Sequence, residues 1–156
     1  MTELTEPGAA ARLTHDVFVS YRRREPDRSW VKHRFVPAMR AAGIRVFLDD
    51  DDFRLGEPLI EAMTRGVEVS RYTVAVLTHA YLESTFSEIE SLMAEHLGLE
   101  NAQARLIGIM REPVTPRLSM RLRIWLDLTD DADLEDGVAR LAREVGAPWP
   151  TSPSPP

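Results

Sequence analysis

Strand-like runs that recur along the chain, each separated from the next by a helical stretch, restrict this sequence to very few architectures. DVFVSY (16–21), IRVFLD (44–49), YTVAVLT (72–78) and RLIGIM (105–110) are short, β-branched and aromatic, and IWLDL (124–128) is a shorter fifth. Helical periodicity fills the intervals at 28–42, 57–69, 83–99 and 133–145, with Gly43 and Gly146 expected as stops. The strands are too continuously apolar for a sheet with one wet face. They imply a parallel sheet covered by helices on both sides, a doubly wound α/β domain of five strands.

Residues 1–13 read as a flexible leader, 14–147 as the domain and APWPTSPSPP, with its boundary at 148–156, as a proline- and serine-rich tail or linker. REPVTPRLSMRLR, between the fourth and fifth strands, reads as a loop. At 156 residues one core is the expectation. A formal charge of -6 argues against binding nucleic acid or an anionic membrane. With no cysteine, thiolate metal sites and cysteine nucleophiles are excluded. The absence of a signal-like leader or a long apolar run makes a cytoplasmic protein the expectation. Lys32 is the only lysine among 19 basic residues, a skew that points to a GC-rich, bacterial genome.

In sheets of this kind ligands bind beyond the carboxyl ends of the strands. The first strand delivers Tyr21, Arg22, Arg23 and Arg24 there, and paired guanidinium forks suit a phosphate or diphosphate as well as they suit an exposed basic turn. The second delivers Asp49, Asp50, Asp51 and Asp52; Asp49 alone is placed to meet a sugar hydroxyl, and the group lacks the spacing of a cation loop. SYRRREPDRS contains no glycine, which excludes a phosphate-binding glycine loop. Thr78 and Leu128 end the third and fifth strands, so the acceptor aspartate and lysine of a phosphotransfer receiver are missing. Ser20, His79 and Asp127 lack the tight elbow of a nucleophilic triad. His15, His33, His79 and His96 show no metal-ligand spacing, so no metal is expected.

Glu90 is the unusual carboxylate. On a wheel of roughly 100° per residue it falls about 40° from Phe86, on the side that carries Met93 and Leu97. The residues alone leave two readings, a rim glutamate whose end reaches water and a desolvated carboxylate used in chemistry.

Three segments in order resemble the TIR (Toll/interleukin receptor homology) family over roughly residues 14–146. HDVFVSYRR is similar to its first box, GIRVFLDDDDFRLGEPLIEAM to its second strand and BB loop with Gly56 at the loop glycine, and VSRYTVAVLTHAYLESTFSEIE to the signature ending in an aromatic residue and a glutamate four positions later. The resemblance implies a flavodoxin-like strand order. It also implies, for the NAD-cleaving branch, Glu90 as the catalytic carboxylate and a substrate crevice made by Tyr21, Arg22, Arg23, Asp49 and Phe86, with NAD+ as substrate and no bound cofactor. Phe86 stands where the family usually has tryptophan, and Ser87 where it often has cysteine. The family's BB loop, here Phe53, Arg54, Leu55 and Gly56, implies TIR–TIR self-association, including filaments, and a separate sensor as trigger. Two other functions fit the same residues: a non-catalytic adaptor, and an enzyme similar to nucleoside deoxyribosyltransferases.

Overall fold

The computed structural model describes residues 13–48, 59–84, 86–98, 104–114 and 124–146. Five parallel strands, β1 His15–Ser20, β2 Val46–Phe47, β3 Ser70–Leu77, β4 Leu106–Met110 and β5 Ile124–Asp127, form one sheet in the order β2-β1-β3-β4-β5. The chain runs outward from β1 to β2 and then crosses to the other side of β1 to begin β3, so the order reverses between β1 and β3. Val17 is level with Val46 on one side and Tyr72 on the other, and Ser20 is level with Ala75.

Side chains alternate along each strand, which divides the core in two. Val17, Val19 and Tyr21, with Val74, Val76, Ile107 and Ile109, pack under a first helical layer through Trp30, Val31, Phe35, Met39, Val138 and Leu141. Phe18, Ala75 and Leu77 face the other way, toward Met63, Val67, Tyr81, Ile89, Leu92 and Met93. Both sheet faces are dry, as the apolar runs require.

The first helix, α1, is composite: α-helical Asp27–Trp30, π-helical Val31–Phe35 and α-helical Val36–Ala41. Pro37 explains the wide turn, because it lacks the N–H that would bond the His33 carbonyl and its ring would collide with that oxygen. Gly43 follows with φ +89°, a left-handed stop. The remaining helices are α2 Leu59–Val69, α3 His79–Ser84, α4 Phe86–Leu97 and α5 Leu134–Gly146.

Two sequence expectations change. The helix expected over 83–99 is two helices: Glu83 belongs to α3, which starts directly after β3, and α4 begins at Phe86. Gly146 is the last residue of α5 rather than a stop beyond it, while Gly98, with φ +81°, ends α4. Among the described residues no helix is long and apolar enough to cross a membrane. The leader up to residue 12, the tail and the BB-loop residues Phe53, Arg54, Leu55 and Gly56 lie outside the described residues, as does Asp49.

Candidate functional site

The site begins where β1 ends. Tyr21 is 1% exposed and packs into the core beneath α1, so its ring forms the floor of the edge. The Arg23 guanidinium lies 5.6 Å from the centroid of that ring, a cation–π contact that holds positive charge above it. Arg22 and Arg23 are half-buried and Arg24 is exposed. The Arg24 amide donates to the Arg22 carbonyl at 2.8 Å, turning the chain toward α1.

Asp27, the first residue of α1, is 7% exposed and sits beside the end of β3, where the Thr78 hydroxyl donates to its Oδ2 at 3.2 Å. Burial pushes the Asp27 carboxyl above its ordinary 3.8, opposed by the Thr78 hydrogen bond. The nearby Glu112 charge adds to the rise, and Arg22 and Arg111 work against it. Thr78 Oγ1 also accepts the Tyr81 amide at 3.1 Å, an N-cap bond for α3. The Tyr81 phenol is fully buried and shares a 2.9 Å bond with Ser20 Oγ. Burial drives this phenol above its ordinary value of 10, against the Ser20 bond and the Arg23 charge, so Tyr81 is neutral and serves as a strut. Glu112, just past β4, accepts the His79 amide at 2.9 Å.

A second knot lies next to the first. Arg111 donates to the Leu128 carbonyl at 2.8 Å and pairs with Asp131 at 3.0 Å, while its guanidinium lies 4.4 Å from the Trp30 ring centroid. Trp30 Nε1 donates to the same Asp131 oxygen at 3.0 Å.

Glu90 and Phe86 stand one turn apart in α4, which leaves the carboxyl edge of the sheet and runs back toward the start of β4. The structure describes their backbone and not their side chains. Ile89, Leu92 and Met93 are buried and Leu97 is partly buried. At roughly 100° per residue this places Glu90 at the border of the buried face. Ile89, its immediate neighbour, is fully buried in the same cluster as Tyr81 and Phe18. Of the predicted site residues, Tyr21, Arg22 and Arg23 are therefore gathered at the carboxyl end of β1. Phe86 and Glu90 are fixed in register on α4.

Sequence reasoning missed Asp27, Thr78, Tyr81 and Glu112. One local signal was available: a threonine ending a strand and followed by HAYLES has the form of an N-cap. Ser20 is taken by Tyr81 and Asp127 by its bonds to Thr129 N and Oγ1, at 3.0 and 2.7 Å, so these two are engaged in other roles than a triad.

The fold and this edge define a class of protein, and comparison with known proteins bears it out. The TIR domain family matches residues 17–142, and the chain belongs to it. Toll-like receptor 6 of Mus musculus is 30% identical over 102 residues, covering 65% of this chain and 13% of the receptor. The "Probable 2' cyclic ADP-D-ribose synthase TcpO" of Methanobrevibacter olleyae is 28% identical over 76 residues, covering 49% of this chain and 22% of that protein. The chain thus spans only a small part of the length of these relatives. Among solved structures, the TIR domain of the Toll-related receptor TRR-2 from Hydra magnipapillata superposes with a TM-score of 0.67 at 23% identity, covering 85% of this chain and 98% of that one. A prokaryotic SEFIR domain gives 0.66 at 17% identity, covering 92% and 99%. These two likenesses concern the fold.

Proposed function

We propose that this TIR domain is an NAD+ nucleosidase that breaks the bond between nicotinamide and ribose, releasing nicotinamide with ADP-ribose or a cyclic isomer. The feature that carries the reading is the spacing on α4, which opens at Phe86 with Glu90 one turn later, in a chain whose β1 leads directly into Arg22 and Arg23. The archaeal relative named as a probable cyclic ADP-ribose synthase supports the same chemistry.

Nicotinamide leaves as a neutral base from a ring that already carries positive charge. No acid is needed at the leaving group, so one carboxylate suffices where glycosidases use two. Glu90 would stabilise the cationic ribose or attack its anomeric carbon. Phe86 would stack on the nicotinamide, Asp49 would meet a ribose hydroxyl, and Arg22 and Arg23 would hold the diphosphate. These arginines favour a phosphate-bearing substrate over the free nucleoside of a deoxyribosyltransferase. In this reading the domain works in the cytoplasm of a bacterium as a defence effector against phage. A sensor outside the domain triggers it, and self-association through Phe53, Arg54, Leu55 and Gly56 completes the site.

The test is incubation of concentrated or artificially clustered protein with NAD+ and separation of the products. Nicotinamide release by the parent, lost in a folded Glu90→Gln variant, is the expected result. No release from clustered, folded parent protein overturns the proposal and leaves an adaptor domain, the reading to which the Toll-like receptor relatives lend support.

A further inference from the structure

The side chains around α3 converge from three other parts of the fold. Six residues are too few for a helix to hold itself in water. Here the Thr78 hydroxyl uses its acceptor capacity on the Tyr81 amide at 3.1 Å and its only proton on Asp27 Oδ2 at 3.2 Å. Glu112 takes the His79 amide at 2.9 Å, and Ser20 bonds the Tyr81 phenol at 2.9 Å. The start of α3 is therefore held by side chains from β1, from α1 and from the turn after β4. Only Thr85 separates α3 from α4. Ile89 packs in one cluster with Tyr81, so the first turn of α4 follows wherever α3 is set.

The geometry points to Asp27 and Thr78 as positioning residues for the Phe86–Glu90 turn. Asp27 orients the Thr78 hydroxyl, the hydroxyl fixes the residue at which α3 begins, and α3 sets the height above the sheet at which α4 begins. The mechanical part of this chain stands on its contacts. Its effect on turnover rests on the NAD+ reading above. A cap that merely added stability would loosen the whole domain evenly when removed, whereas a positioning pair loosens one segment and shifts turnover without shifting binding.

The experiment compares Thr78→Val, which deletes the hydroxyl, with Thr78→Ser, which keeps it. Amide hydrogen exchange is followed by residue, and kcat and KM for NAD+ are measured on clustered protein. In Thr78→Val, exchange over residues 79–90 should quicken by about tenfold or more, with β3 and β4 unchanged. The kcat should fall by about tenfold to a hundredfold at nearly constant KM, the scale expected of a misplaced reacting group. Thr78→Ser should restore both, and Asp27→Ala should reproduce Thr78→Val. Unchanged exchange over 79–90, a uniform quickening across the domain, or a serine variant no better than valine would overturn the inference. Full kcat in Thr78→Val beside a dead Glu90→Gln would overturn it while sparing the NAD+ reading. Local quickening in a protein that cleaves no NAD+ even when clustered supports the mechanical link and overturns the functional reading alone.

Discussion

Gly66 of α2 lies so close to Phe18 of β1 that a methyl group at position 66 would come within 2.5 Å of the ring. The ring cannot swing aside, because it is fully buried and packed edge-on against Phe47 at 5.7 Å. Gly66→Ala should gain about 0.5–1 kcal/mol of helix preference and lose about 1–3 kcal/mol to overpacking, for a net fall in stability. Gly137→Ala meets the flexible end of Leu128 at 2.5 Å instead and should cost less. Urea unfolding of both variants checks the contrast; a Gly66→Ala protein as stable as Gly137→Ala would refute it.

The bond between Ser20 and Tyr81 can be weighed by a double-mutant cycle. Each single variant, Ser20→Ala or Tyr81→Phe, removes this bond and should cost about 0.5–1.5 kcal/mol. Once one hydroxyl is gone the second deletion breaks no further bond between the two, so the loss in the double variant should be smaller than the two single losses combined. Strict additivity of the unfolding free energies would show that the hydroxyls do not interact.

Asp27 and Asp16 should give opposite slopes of stability with pH. Burial raises the folded-state value of Asp27 above its ordinary 3.8, with the Thr78 bond pulling the other way. The folded state then holds the proton more tightly than the unfolded chain does. That contribution is complete below 3.8 and is lost as pH rises through the raised value. Asp27→Asn keeps an acceptor for the Thr78 hydroxyl and cannot ionise, so it should be at least as stable as the parent at neutral pH and lack this decline. Melting curves from about pH 3 to about pH 7 read it directly; a variant less stable than the parent throughout would contradict it.

At the other edge of the sheet, burial of Asp16 acts to raise its carboxyl. Hydrogen bonds from the Arg45 side chain and backbone, with the Arg45 and Arg71 charges, outweigh that and hold it below 3.8. This contribution is present above 3.8 and disappears as pH falls through the lowered value. Arg45 is 64% exposed, so screening keeps the effect small. Asp16→Asn should cost about 1 kcal/mol at neutral pH and nothing in strong acid. An equal cost at both extremes would exclude the ion pair as its source.

The parts of this fold that could be read from the chain are those written in local pattern. Strand runs such as YTVAVLT appear as β3 Ser70–Leu77, and Gly43 stops α1 because only a left-handed residue fits there. The break between α3 and α4 was not legible, since YLESTFSEIE offers no glycine or proline to mark it. Arg22 and Arg23 could be placed at an edge from sequence because a strand leads straight into them. Asp27 could not, because its partner Thr78 lies 51 residues away and nothing in EPDRS distinguishes a buried carboxyl from a solvated turn.

Trp30 and Phe35 stack at 4.9 Å with their planes 14° apart. On an ordinary α-helix residues five apart point about 140° away from each other. The wide turn over Val31–Phe35 is what brings these two rings together. The spatial arrangement of the edge is thus written partly in how many residues α1 contains. Were that turn to rewind as ordinary α-helix with every residue kept, Asp27 and Trp30 would swing by about 100° relative to the rest of α1. Thr78, Arg111 and Asp131 would lose their counterparts together, although every one of those side chains would still be present.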